Sequence, residues 1–318
     1  MTTHTTTQTP TQTPTQTPAR LDVRPVTPVI GAEVYGIDLR EPLDAATIAE
    51  LSDALVQWKV LFFRDQPLTR EQHVAFGQAF GALTPGHPIH AAPDDRDEVL
   101  VVDTREAKVT LGYGDRDPFG PPRRTINGWH TDITFVANPA NASILRGVVI
   151  PPYGGDTLWT NLVAAYEDLS LPVRNFIDGL QAVHVWHGYD GVARDGHDSS
   201  KPPSAVHPVV RVHPVTGEKA LFVNPVFTRY VVGLSDRESA AILGVLFEQL
   251  ERPQFQVRFR WEPDSIAFWD NRATAHLGPV DLATAEFDRR VERVTVVGDI
   301  AEGPDGFRSV PLEGGLFV

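Results

Sequence analysis

Residues 127–135 read Asn-Gly-Trp-His-Thr-Asp-Ile-Thr-Phe, and only Thr131 separates His130 from Asp132. An imidazole and a carboxylate are both ligands for a divalent metal. In an extended strand, residues i and i+2 project from the same face, so this pair would present one nitrogen and one oxygen to a common point. The tripeptide alone is a weak signal, because a core histidine next to a turn-capping aspartate has the same spelling. A metal also needs a third ligand. The chain has no cysteine, which excludes thiolate ligation, thiol catalysis and disulfides, so that ligand must be His, Asp or Glu.

The chain has 11 histidines, and most have plainer readings. His4 falls in a low-complexity N-terminus, His73 on a predicted surface helix and His197 in a polar loop. His207 and His213 each precede proline and read as structural residues at strand ends, while His184 and His187 would point to opposite faces of an extended segment. His276 is different. It follows Trp-Asp-Asn-Arg-Ala-Thr-Ala, just past a strongly apolar stretch that could hold a ligand rigidly. His130, Asp132 and His276 together would make a two-histidine, one-carboxylate facial triad. That geometry leaves coordination positions open and suits non-haem Fe(II) oxygenases. The co-substrate expected beside such an iron is 2-oxoglutarate, with O2 as the oxidant. As a dianion, 2-oxoglutarate calls for a cation downstream of His276. Arg289 and Arg293 are four residues apart and would share one face of a strand, whereas Arg290 would fall on the solvent side. A hydrolase using zinc at the same triad, or a non-catalytic binding module, would have no use for a dianion clamp.

The elements that must position these residues are mostly short strands. Alternating segments at residues 21–39, 207–213, 220–224, 255–262, 265–271 and 292–299 predict strands, those at 255–262 and 265–271 as a pair around Glu262-Pro263-Asp264; residues 129–135 also alternate. Val60–Arg64 predicts a buried strand. Helices are predicted after Asp44, after Thr69, across residues 161–181 and after Ser235, with Asp44, Thr69 and Ser235 as N-caps. Many strands with a few interspersed helices predict a mainly β fold with flanking helices, an antiparallel sandwich or barrel.

Hydrophobic residues make up 42% of the 318, enough for a large core, and residues 21–318 show no composition break, so one domain is expected. Residues 1–20 repeat Thr-Gln-Thr-Pro and predict a disordered tail. No signal peptide or membrane span is spelled out, and a cytoplasmic location follows by default. A formal net charge of -13 argues against nucleic acid and anionic membrane as partners.

Taken together, the segments Trp-His-Thr-Asp-Ile-Thr-Phe, Gly-Gly-Asp-Thr-Leu-Trp-Thr-Asn, Trp-Asp-Asn-Arg-Ala-Thr-Ala-His and Arg-Arg-Val-Glu-Arg-Val-Thr-Val-Val-Gly-Asp resemble, in order, the TauD/TfdA family of Fe(II)- and 2-oxoglutarate-dependent dioxygenases. The resemblance implies a double-stranded β-helix (a jelly roll, cupin-like). It implies His130, Asp132 and His276 as iron ligands, Thr157 and Arg289 as the clamp for 2-oxoglutarate, and Arg293 as the partner of an anionic substrate group. His87, His90 and Phe227 match positions lining the family's substrate pocket, and Asn127 stands one position off another. A small anionic organic substrate is implied, first an alkyl sulfonate such as taurine, otherwise a sulfate ester or an aryloxyalkanoate. His90 and Ile126 depart from the taurine-oxidising pattern, which has Tyr and Asn there. A homo-oligomer, dimer or tetramer, is implied as well.

Overall fold

A computed structural model describes residues 21–86, 98–103, 128–186, 201–279, 281 and 287–317. The expected tail, the polar loop holding His197, and the sites His87, His90 and Asn127 lie outside the described residues.

The largest sheet has seven strands in the order β1 (Asp22–Pro25), β2 (Ala32–Tyr35), β3 (Val60–Phe63), β13 (Ile266–Asp270), β5 (Ala142–Val149), β15 (Arg290–Val296), β4 (Leu100–Asp103). β2 and β3 are parallel and the other pairs antiparallel. All four residues of β3 and all five of β13 are buried, as expected of continuous apolar strands covered on both faces. A three-stranded sheet, β12 (Gln256–Phe259), β6 (Thr157–Asn161), β14 (Thr274–Leu277), shares a core with it. In that core Phe62 stacks on Phe259 with ring centroids 4.2 Å apart, and Trp159 meets Trp269 at 5.5 Å. A four-stranded sheet, β11 (Thr228–Val231), β7 (Gln181–Val185), β8 (Ser204–Pro208), β16 (Val310–Glu313), and the hairpin β9 (Val210–Val212) with β10 (Lys219–Leu221) complete the β structure among the described residues.

β12 and β13 do not pair with each other as the sequence suggested. Val257 and Phe259 of one, and Ala267 and Trp269 of the other, point into the same core from opposite sheets. Their alternation records two faces meeting across a core rather than two neighbours in one ladder.

Five α-helices cover the sheets among the described residues: α1 (Ala45–Trp58), α2 (Arg70–Gln78), α3 (Leu162–Glu167), α4 (Leu171–Ile177) and α5 (Asp236–Leu250). Asp44 caps α1 by accepting from the Thr47 amide at 2.7 Å, and Thr69 and Ser235 form capping boxes with Gln72 and Glu238. The helical stretch expected over residues 161–181 divides into α3 and α4, with Pro172 inside the first turn of the second, where its missing N–H costs nothing. Among the described residues no helix is long and apolar enough to cross a membrane.

His73 is buried rather than on a surface, because α2 turns His73, Phe76 and Gly77 inward. Its Nε2 lies 3.1 Å from the Ile144 carbonyl, to which it donates. His207 is structural, as expected: it is buried between the Ser309 hydroxyl, 2.6 Å away, and the Thr134 carbonyl, 2.7 Å away.

Burial lowers the pKa of both His73 and His207 from 6.5 to about 3. A buried neutral histidine whose folded pKa is depressed contributes fully above pH 6.5 and loses that contribution as pH falls toward 3. Lowering pH from 7.5 to 5.5 should therefore destabilise the fold by about 1 kcal/mol for each group. In melting curves at the two pH values, His73→Gln, which keeps a donor for Ile144, should show a smaller drop than the unaltered chain. An equal drop would mean that His73 does not contribute.

Candidate metal centre

His276 lies on β14, which pairs with β6 in the register His276↔Trp159. His130 belongs to no strand. It joins β14 through a single antiparallel bridge in which its N–H donates to the His276 carbonyl at 2.9 Å and its carbonyl accepts from the His276 N–H at 2.7 Å. Residues directly opposite in such a pair place their side chains on one face. The two imidazoles accordingly stand with centroids 4.2 Å apart.

Residues 129–135 do not form the strand that their alternation suggests. After the bridge the chain turns, and Ile133 takes φ +49°, a left-handed conformation that a β-branched residue adopts only under strain. Ile133 tolerates it inside a buried cluster with Phe135, Trp186 and Phe227. The Thr131 hydroxyl adds a tie to the Thr274 carbonyl at 2.8 Å. The outcome is still the expected convergence: one ligand atom from each of His130, Asp132 and His276 falls within 4.8 Å of the others.

The donor set suits a divalent 3d metal. His130 Nδ1 donates to the Gly128 carbonyl at 2.9 Å, which leaves Nε2 with a lone pair. Burial lowers the pKa of both histidines, that of His276 to about 3, so each ring is the neutral ligand form at pH 7. Burial alone would raise the Asp132 carboxyl, but Arg293, His276 and His130 outweigh it and the group is held well below the carboxylate range. Asp132 Oδ1 lies 3.9 Å from His276 Nε2, Oδ2 accepts from the Ser143 hydroxyl at 2.7 Å, and the Arg293 guanidinium donates to Oδ1.

The second group of expected site residues gathers around Trp261, which sequence reasoning missed. Its indole N–H donates to Thr157 Oγ1 at 3.0 Å, and the Arg289 guanidinium carbon lies 5.8 Å from the centre of its ring. Arg289 also passes so close to Gly155 that a Cβ there would sit 3.0 Å from Arg289 Cδ. With φ +72°, Gly155 is glycine for both reasons. Thr157, Trp261 and Arg289 are all buried. Phe227 is buried too, its ring 6.1 Å from that of His130. Arg290, expected in solvent, is only partly exposed and donates to the buried Glu292 at 2.8 Å, beside Arg70 and Arg146 on the sheet's α2 face. A carboxylate buried there needs that positive charge. Ser143 was missed with Trp261; its one signal is a hydroxyl inside the otherwise apolar run Ala142–Leu145.

His130→Ala, Asp132→Ala and His276→Ala should each weaken Mn(II) binding by more than the roughly 10–100-fold typical of losing an outer-shell partner. Isothermal titration of metal-free protein checks this, and any variant that keeps full affinity removes that residue from the ligand set.

Residues 22–295 match the family model described as taurine catabolism dioxygenase TauD, TfdA family. The chain is 38% identical over 298 residues to an alpha-ketoglutarate-dependent sulfate ester dioxygenase of Pseudomonas putida, covering 90% of this chain and 92% of the relative. It is 36% identical to an alkylsulfatase of Acinetobacter baylyi, covering 91% and 89%. A taurine dioxygenase structure from Burkholderia xenovorans superposes with a TM-score of 0.80 at 47% identity, covering 93% of this chain and 96% of that one. A mainly β chain with this match along most of its length, and with a His-Asp-His cluster in which Asp132 and His276 are buried, belongs to the TauD/TfdA family of Fe(II)- and 2-oxoglutarate-dependent dioxygenases.

Proposed function

We propose that His130, Asp132 and His276 hold the ferrous iron, that Thr157 and Arg289 anchor the distal carboxylate of 2-oxoglutarate, and that Arg293 receives the anionic group of an organosulfur substrate. The observation that carries this reading is the convergence of three ligand atoms within 4.8 Å beside a separate buried grouping of Thr157, Trp261 and Arg289.

When bound, ferrous iron supplies the oxidation, coupling decarboxylation of 2-oxoglutarate by O2, to succinate and CO2, to hydroxylation of a substrate carbon. The protein supplies position and a dry site. The two neutral imidazoles and the ionised carboxylate would hold the metal. Arg289 offers a planar fork to a carboxylate. Trp261 donates to the Thr157 oxygen, so the Thr157 hydroxyl proton is free to donate to that carboxylate. Arg293 reaches the metal-ligand carboxylate itself, so an anion held by it would place its neighbouring carbon beside the metal. Phe227 forms an apolar wall against His130. His87, His90 and Asn127 belong to the substrate side of the same reading.

The substrate class is a small alkyl sulfonate, such as taurine, or an alkyl sulfate ester. Hydroxylation of the carbon next to sulfur, or next to the ester oxygen, gives an alcohol that collapses to an aldehyde with release of sulfite or sulfate, respectively. The names of the relatives support both arms. The same reading includes a double-stranded β-helix, supported by two largely antiparallel sheets facing each other across one core. It also includes one domain over residues 21–318, a homo-oligomer and a cytoplasmic location.

The test is substrate-dependent succinate formation across sulfonates, alkyl sulfates and aryloxy acids, with sulfite and sulfate measured separately. Losing a charged partner of a buried anion costs about 2–5 kcal/mol, or roughly 30- to several-thousand-fold. Arg289→Ala should raise the KM for 2-oxoglutarate on that scale with every substrate. Arg293→Ala should raise the KM for the substrate and uncouple 2-oxoglutarate decay from its oxidation. Turnover indifferent to Arg293→Ala would remove the organosulfur reading.

A further inference from the structure

Asp132 is the end of a chain of buried hydrogen bonds. The Ser143 hydroxyl lies 2.7 Å from Asp132 Oδ2, the Asn271 amide nitrogen 2.9 Å from Ser143 Oγ, and the Trp269 indole nitrogen 2.9 Å from Asn271 Oδ1. Ser143, Asn271 and Trp269 are at most 1% exposed. Ser143 stands in the middle of the large sheet, with Trp269 opposite it in register and Asn271 just past the end of β13.

The direction of this chain follows from its chemistry. An indole N–H donates and cannot accept. Asn271 must therefore turn its carbonyl to Trp269, which turns its amide hydrogens to Ser143. The Ser143 oxygen accepts there, and its own proton is left for Asp132. Every donor points toward the carboxylate.

We propose that Trp269, Asn271 and Ser143 are positioning residues of the metal centre: their relay commits Oδ2 of Asp132, so that Oδ1, which also accepts from the Arg293 guanidinium, is the oxygen turned toward His276 and the metal. The proposal rests on the reading of Asp132 as a ligand. It agrees with Oδ1 being the oxygen near His276 Nε2. With Oδ2 held, the carboxylate cannot rotate about its Cβ–Cγ bond without breaking a buried hydrogen bond. A serine within an apolar sheet interior is costly unless its hydroxyl is paired. Here the pairing ends on a carboxylate of the site and not on a backbone carbonyl.

The test titrates metal-free protein with Co(II), whose visible spectrum reports ligand geometry. Ser143→Ala should bind about 10–100-fold more weakly, the usual loss for an outer-shell partner, with an altered spectrum. Its metal-free melting temperature should stay within a few degrees. Ser143→Thr, which keeps a hydroxyl, should recover most of the affinity and the original spectrum. Asp132→Ala, measured beside them, should lose Co(II) binding. Unchanged affinity and spectrum in Ser143→Ala, with binding lost in Asp132→Ala, would overturn the relay and leave the ligand assignment standing. Unchanged binding in Asp132→Ala would overturn the ligand assignment itself. If Ser143→Ala does not fold, Trp269→Phe decides: it removes the donor that sets the direction, and it should weaken Co(II) binding several-fold or the relay fails.

Discussion

The site hangs on two backbone hydrogen bonds exchanged between His130 and His276. His276 is placed by β14, which β6 holds in a three-stranded sheet over a core of tryptophan and phenylalanine. His130 has no ladder of its own. It borrows its position from His276 through the bridge, and the turn after it delivers Asp132. Side chains directly opposite in an antiparallel pair share a face. A bridge with a histidine on each side is therefore sufficient to bring two imidazoles together. The ring contact between Trp269 and His276, with centroids 5.1 Å apart, ties the site to the core.

The same arrangement buries charge, which a core tolerates only with partners. Asp132 is surrounded by the Ser143 hydroxyl, the Arg293 guanidinium and two imidazoles. Thr157 and Arg289 meet at Trp261, which serves both as an apolar wall and as a hydrogen-bond donor. On the opposite face of the large sheet, buried Glu292 takes charge from Arg70, Arg146 and Arg290. Neighbouring residues of β15 thus serve different ends: Glu292 belongs to a structural ion cluster, Arg293 to the site.

Much of this could be read from residue types alone, and the failures share a cause. The convergence of His130, Asp132 and His276 was legible because so few side chains can bind a metal and because their spacing fitted the family's segments. Asp44, Thr69 and Ser235 were readable as caps because capping chemistry is local. What could not be read was tertiary. The strand expected over residues 129–135 is a strained turn at Ile133, and alternation cannot tell a strand from a chain crossing between two apolar faces. His73 was placed on a surface because one histidine does not reveal which side of a helix a sheet will cover. β12 and β13 were paired because they are adjacent in sequence, whereas they face each other across a core. Ser143 and Trp261 left almost no signal, since a lone hydroxyl or indole gains its role only from what lies opposite.

The central claim is that the bridge between His130 and His276, with Asp132 delivered by the turn, makes the metal site of this dioxygenase. The most direct measurement is anomalous diffraction from crystals grown with Mn(II). The account requires one strong peak bounded by His130 Nε2, Asp132 Oδ1 and His276 Nε2, with Asp132 Oδ2 remaining on Ser143. A peak elsewhere in the molecule, or none within reach of all three side chains, would contradict it.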